Sequence, residues 1–460
     1  MDPLTMNLMR QVAGSGESES YFFAEKSSTF DTYSTYGKVD DDGNIYYLYV
    51  KSFPYTGKVF YLVKYDSDGA YQWDKRFTRA DGTSGAPIGF EIDSSGNVYY
   101  AGWGNQSDDS SEHSLYLYKF NSSGTEQWQR EIAPGTSFDL FGHLGNSVSL
   151  DSSGNVYVTG QRVSSTASFK FFAKWNSSGT LQSQEVFGSS NGSYENEYST
   201  IYAANTTYPI ISGLEEDSSE SGEHAYILLS TATGGTARYI DGLASTSITD
   251  ETKIPIPRAV RVDSSGNIYW CVQGTSTTGL TGAYIIKMDT SFNISWQRRL
   301  AGTDYRTQPV DMQIDSSGNV YIIGKKFLGT YGVYQTPYYG VYFVKYNSSG
   351  TLIFKRQIKY NITNGSVVPF FYLTVKGSAA YIFTSPGPMF KVPLDGSLTG
   401  TYATDYVYEA ETDLTSSTSS LTLASATVNR TSTSFTGQTP TGGITSFSTS
   451  PTDLTLTTIE

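Results

Sequence analysis

Apolar positions in this chain cluster in short runs between turns, and helical spacing appears only near the start. Asp151-Ser152-Ser153-Gly154-Asn155 is followed by Val156-Tyr157-Val158. An Asp side chain bonds the backbone two residues on, and Gly and Asn tolerate positive φ, so the first five residues read as a tight turn. The β-branched and aromatic residues after it suit a pleated surface. A short strand precedes the turn, as in Ser147-Val148-Ser149-Leu150, so each such stretch predicts a hairpin. Near-copies start at Asp40, Asp93, Asp263 and Asp315.

A second signature lies roughly 20 residues further along, a spacing within the four strands of one supersecondary repeat. Phe172-Ala173-Lys174-Trp175-Asn176-Ser177-Ser178-Gly179 is one copy; others end at Asn121-Ser122-Ser123-Gly124 and Asn347-Ser348-Ser349-Gly350. It reads as a strand ending in Lys-aromatic, a turn, and a further strand often marked by Trp73, Trp128 or Trp296. One unit therefore holds four strands. Gly43, Gly96, Gly154, Gly266 and Gly318 are spaced 53, 58, 112 and 52 residues apart, so a degenerate copy falls between Gly154 and Gly266. A period near 50 with four strands per unit predicts propeller blades. On these residues the chain resembles the β-propeller repeat family carrying Asp-x-x-Gly-Asn-x-Tyr.

The expected fold is all-β: a seven-bladed β-propeller of four-stranded blades over 17–407, with a short N-terminal helix in a docking peg over 1–16 and a Ser/Thr-rich C-terminal tail over 408–460. Blades are expected at about 36–79, 88–133, 145–188, 198–241, 257–301, 310–360 and 368–405. The run Ser20-Tyr21-Phe22-Phe23-Ala24-Glu25-Lys26 matches the last strand of a unit and has no earlier partner, so it is expected to pair with the final blade. Asp2-Pro3 reads as a helix N-cap and first turn, with Leu4, Leu8, Met9 and Val12 on one face as docking residues. In the tail, Leu421-Thr422-Leu423 and Leu454-Thr455-Leu456 alternate enough to be short strands; they are candidates to add to a neighbour's sheet in an oligomer or on a partner.

Composition narrows the function. Aromatics are 15% of the chain, with 37 Tyr, while charged residues are only 16% and the net charge is −13. That balance disfavours sequence-specific nucleic-acid binding through phosphates. No run of about 18 apolar residues occurs, so no membrane span is expected, and the N-terminal residues do not read as a secretory signal. Cys271 stands alone, which leaves no intrachain disulfide; it reads as a buried apolar residue.

Candidate chemistry is sparse. Asp40-Asp41-Asp42-Gly43-Asn44 superficially opens a calcium loop, but the other copies replace its middle acids by Ser and no Glu follows at the right place. His113, His143 and His224 are widely spread, and no Gly-x-Ser-x-Gly elbow occurs. The expectation is no catalytic residue, no metal ligand and no cofactor, hence no enzyme. The acidic run 215–223 in blade four reads as a solvated loop with some capacity for a cation. Candidate ligand-binding residues are Trp103 and Asn105, and Tyr331, Tyr334, Tyr338 and Tyr339 in a tyrosine-rich insertion, because Tyr offers a broad face with a polar tip.

In overall layout the chain resembles the propeller-bearing virion proteins of tailed phages, including those infecting marine bacteria. The resemblance rests on the Leu/Met-rich start, the Asp-Ser-Ser-Gly-Asn repeats and the Ser/Thr-rich tail. It implies a virion structural protein, a tail or capsid appendage used for interaction or host-surface adhesion. Implied partners are other virion proteins through the peg and tail, a host-surface glycan or protein, and further copies in a homo-oligomeric assembly. A tail nozzle around the DNA path and a polysaccharide-degrading enzyme are the alternatives.

Overall fold

The computed structural model describes residues 5–9, 21–25, 35–53, 57–77, 86–105, 113–133, 139–141, 147–163, 168–187, 199–203, 209–217, 222–231, 234–241, 255–275, 281–302, 307–331, 336–360, 370–385, 389–402, 406–419, 421–426, 430–432, 436–438 and 456–459. The fold is all-β, and seven mostly antiparallel sheets succeed one another along the chain as the blades of a seven-bladed β-propeller. Chain contacts divide it into two units: Met1–Gly82 with Gln313–Asp413 and Gly443–Glu460, and Thr83–Met312 with Leu414–Gly442.

Blades 2 to 5 make up the second unit. Blade 2 runs Ala86–Ile92, Val98–Asn105, His113–Phe120 and Glu126–Ala133. Blade 3 is built on Val148–Leu150, Val156–Val163, Ser168–Trp175 and Leu181–Phe187, with Asp139–Phe141 added along its second strand. Blade 4 holds Ser199–Tyr202, Ile210–Asp217, Gly222–Thr231 and Gly234–Asp241. Blade 5 holds Ile256–Val262, Ile268–Thr275, Thr281–Met288 and Ile294–Ala301. The core lies between blade faces. Tyr99, Ala101 and Leu117 of blade 2 pack with Val156, Val158 and Phe171 of blade 3. The opposite face of blade 3, with Tyr157 and Phe172, packs on Ile211, Tyr226 and Leu228. Ile210, Ile227 and Ile240 then meet Val260, Trp270 and Ile286 of blade 5. Alternation along each strand thus feeds two interfaces at once.

The first unit contains blade 1, with Thr35–Val39, Ile45–Phe53, Gly57–Tyr65 and Tyr71–Phe77. It also contains most of blade 6, whose strands are Gln308–Ile314, Val320–Tyr331, Thr336–Tyr346 and Leu352–Tyr360. Blade 7 has Phe370–Lys376, Ala379–Ser385 and Met389–Pro393 from the C-terminal part of the chain. Its next strand is Tyr21–Glu25, which pairs antiparallel with Met389–Pro393 as the sequence led us to expect. Tyr36 and Tyr372 meet edge to face at 4.4 Å, and Tyr47 meets Phe383 at 5.0 Å, joining blade 1 to blade 7.

Three expectations are corrected. The N-terminal helix is absent where it was placed: Thr5–Met9 is a strand, antiparallel to Tyr21–Glu25 and parallel to Leu456–Ile459. A helix of ten residues is marginal alone, whereas an open sheet edge satisfies every other N–H and C=O at once. Leu8 and Met9 lie in that strand; Leu4 and Val12 fall outside the described residues. The blades are also not uniformly four-stranded, because most sheets hold five or six strands. The reason is the tail. Tyr406–Ala410 adds to blade 6 in the first unit. In the second unit Thr415–Thr418 adds to blade 5, Thr422–Ala426 to blade 4, Arg430–Ser432 to blade 3 and Thr436–Gln438 to blade 2. Each is antiparallel to the fourth strand of its blade, and the blades are visited in reverse order. The strands thus complete the chain's own blades. Finally, the acidic run of blade 4 is partly strand: Glu215 opposes His224 and Glu216 opposes Glu223, so it lengthens a hairpin, with 218–221 outside the described residues.

Candidate functional site

The repeated turns shape the blade rims. In the copy at Asp151, Oδ1 accepts the N–H groups of Ser153 and Asn155, both at 2.9 Å. Oδ2 accepts Asn155 Nδ2 at 2.7 Å and the Tyr157 hydroxyl at 3.1 Å. Gly154 has φ 74°, the left-handed conformation the turn requires. The same four partners surround Asp40, Asp93, Asp263 and Asp315, with the Tyr hydroxyl 3.0 to 3.4 Å away. The Tyr six residues after each Asp is fully buried apart from this bond, so it fills the core and satisfies a carboxylate together. The fixed Asp-to-Tyr spacing is visible in the sequence as part of the repeat motif, whereas the hydroxyl bond that joins the two ends of that spacing emerges only in the structure.

The Lys of the second signature completes the cluster. Lys64, Lys119, Lys174, Lys287 and Lys345 place Nζ 4.9 to 5.2 Å from the ring of Tyr46, Tyr99, Tyr157, Tyr269 and Tyr321. Burial raises the Asp151 and Asp263 carboxyls, but the hydrogen bonds from Asn, Tyr and backbone outweigh it, and both sit below the ordinary carboxylate range. These repeated acids are occupied by structure. Among the described residues, no group of three or more His, Cys, Asp or Glu is placed to hold a metal ion.

Neighbouring blades are stapled at the second turn. Lys119 Nζ and Trp128 Nε1 of blade 2 donate to Ser177 O of blade 3 at 3.0 and 3.1 Å, and Arg130 Nε donates to Gly179 O. Blade 6 repeats this on blade 7, with Lys345 on Leu394 O and Arg356 on Gly396 O.

Against this framework the sequence-derived ligand-binding candidates lie on two hairpins, one in blade 2 and one in blade 6. Trp103 is half-buried near the end of the second strand of blade 2, its ring 5.2 Å from His113 on the third strand. Asn105 opposes His113 in the ladder, so the hairpin brings all three residues to one corner. The tyrosine-rich insertion is a long hairpin arm on blade 6, formed by Val320–Tyr331 and Thr336–Tyr346, the longest strands among the described residues. Tyr331 opposes Thr336, Tyr338 opposes Gly329 and Tyr339 opposes Phe327; Tyr334 lies outside the described residues. Tyr339 is half-buried, edge to face with Phe327 at 6.0 Å, and Lys325 Nζ stands 5.4 Å from its ring. Lys325 and Phe327 were missed from sequence, because their pairing with Tyr339 follows only once the insertion is read as strand. The two hairpins belong to different units. Each combines aromatic surface with a polar or cationic group, which suits non-covalent binding.

The arm is tied to the root of the tail. Lys326 Nζ bonds Glu411 Oε1 at 2.8 Å and Asp413 Oδ2 at 2.5 Å, and the Asp413 N–H donates to the same Glu411 oxygen. Burial lowers the Lys326 ammonium, yet the two carboxylates hold it above its ordinary value. Cys271 is buried, and burial pushes its thiol up to about 12. Among the described residues no helix is long and apolar enough to cross a membrane. No protein-family model matches the chain, and the search of curated proteins returns no match.

Proposed function

We propose that this chain is a non-catalytic interaction protein of a larger particle, a phage virion appendage whose propeller rim contacts a host-surface glycan or protein. The observation that carries the reading is the blade 6 arm. It extends the second and third strands of one blade and presents Lys325, Phe327 and Tyr339 together, while the recurrent acids of the turns are engaged in holding the fold. The propeller supports it as a rigid scaffold that offers loops for recognition, and the layout of the chain supports the virion setting.

The test is incubation of purified protein with host-envelope glycans, for the wild type and for Tyr339→Ala and Trp103→Ala. Retention without cleavage, weakened in a variant that keeps its folding signature, is the expected outcome. Released oligosaccharide overturns the non-catalytic reading. Detection of the chain in purified virions tests the setting separately.

A further inference from the structure

The outer edge of blade 5 has the construction of a peptide-binding site. Its fourth strand pairs Arg298, Arg299, Leu300 and Ala301 with Thr418, Ser417, Ser416 and Thr415 of the tail. Three further features hold that segment. Leu414, just before it, is 1% exposed and lies against Gly302, where an added Cβ would be 3.6 Å from its Cδ2. Leu421, just after it, packs on the apolar cluster that includes Ile240, Phe292 and Met288. Between blade and tail, Gln297 reads the backbone itself: its Nε2 donates to Leu421 O at 3.1 Å and its Oε1 accepts the Leu421 N–H at 3.0 Å and the Ser419 hydroxyl at 2.6 Å. A primary amide meeting one residue's N–H and C=O acts as one more strand partner and recognises an extended backbone.

We infer that this edge is an acceptor site for an extended, hydroxyl-rich segment bounded by two leucines, and that a second copy's residues 414–421 can occupy it in place of the chain's own. The segment whose fit the structure displays is Leu414-Thr415-Ser416-Ser417-Thr418-Ser419 together with Leu421, so the partner that carries it is another copy of this chain. The residues are uncharged, and leaving the edge breaks no hydrogen bond within blade 5, whose four strands pair among themselves. Thr422, which follows directly on Leu421, is paired to blade 4, so an exchanging tail carries Thr422–Ala426 with it to the second copy; cis and trans occupancy then make the same contacts. They differ in effective concentration, of order mM for a short tether, so exchange competes where copies are packed together. The inference stands independently of the rim reading.

The test uses two full-length variants with different tags. Leu421→Asp puts a carboxylate against the apolar cluster and leaves the acceptor edge intact. Gln297→Leu removes the backbone clip and leaves the tail intact. Each is expected to lose about tenfold or more in cis occupancy, since a half-buried backbone N–H and C=O or an apolar anchor is left unmatched. Mixed in equal amounts at high concentration, they should form a species carrying both tags, seen by tag capture and light scattering, that neither forms alone. Two folded variants that form no mixed species overturn the inference. If either variant fails to fold, hydrogen exchange on the wild-type chain with excess synthetic peptide 411–423 decides. Faster exchange at its own residues 415–421 supports displacement, and unchanged exchange refutes it.

Discussion

Trp128 lies across Gly179: a Cβ built at Gly179 would stand 2.7 Å from Trp128 Cδ2. The residue at the left-handed position of blade 3's turn is thus set by a ring on blade 2. Gly396 and Phe354 repeat the relationship between blades 7 and 6, with a Cβ at 2.8 Å. At blade 5 the corresponding residue is Phe292, left-handed at φ 66°, with Arg238 of blade 4 standing 5.0 Å over its ring. There the preceding blade has Thr236 two residues before Arg238, where blade 2 has Trp128 two residues before Arg130. Ring and glycine trade places across the blade interface.

Gly179→Ala should therefore destabilise by about 1–3 kcal/mol, since it adds both a left-handed Cβ and an overlap with the indole. In a double-mutant cycle with Trp128→Ala the two costs should sum to more than the double variant shows, because the overlap is shared. Urea unfolding of the four proteins measures the coupling; strict additivity would mean the ring does not press on the turn.

The Asp–Tyr turns predict a pH profile. Asp151 and Asp263 have folded values below the ordinary carboxylate range. Their contribution is fully present above the unfolded pKa of about 4 and is lost as pH falls through the depressed folded values. Stability should therefore drop from pH 5 to pH 2, and Asp151→Asn should flatten part of that slope. Tyr157→Phe at neutral pH should cost about 1 kcal/mol, the worth of one buried hydroxyl bond. Denaturant midpoints across pH check both.

Lys326→Met should cost roughly 3–5 kcal/mol, because it strips the cation from fully buried Glu411. Lys326→Met with Glu411→Leu should recover much of that loss. Lys359 and Glu409 form an ion pair with both side chains about two-fifths exposed, so Lys359→Ala should change stability by less than about 1 kcal/mol. Equal losses at the two lysines would contradict the difference in burial.

Cys271 should resist thiol reagents in the folded protein. Its thiol is fully buried and held near 12, so almost no thiolate exists at neutral pH. Labelling should appear only with unfolding, which makes this residue a built-in reporter of global opening. Rapid labelling under native conditions would show local opening of the strand Ile268–Thr275.

The blades were legible because a turn-forming Asp, a left-handed Gly and a β-branched or aromatic run recur together, and each element demands particular residues. The closing strand Tyr21–Glu25 was legible because its aromatic run lacked a predecessor. Two things were not. The alternation at Leu421-Thr422-Leu423 marked one tail strand, but an edge addition can be made through backbone groups that any residue carries, and Arg430–Ser432 and Thr436–Gln438 leave no side-chain pattern. The spacing of Leu4, Leu8, Met9 and Val12 fits a helix, but five residues can equally extend along an edge, and the partner strand at Leu456–Ile459 is distant in sequence. Of the candidate residues, Tyr339 and Trp103 have ring contacts among the described residues, and their neighbours Lys325 and His113 depended on hairpin register.

Pairing Tyr21–Glu25 with Met389–Pro393 has a consequence during synthesis. The two segments lie 363 residues apart between Glu25 and Met389, a gap of 389 − 25 − 1. At about 5–20 residues per second, a ribosome needs roughly 20–70 s to cross it. For all of that interval the strand containing Tyr21, Phe22 and Phe23 can pair with Thr5–Met9 on one edge only, and its other edge stays open to a nascent-chain chaperone until Met389–Pro393 is made.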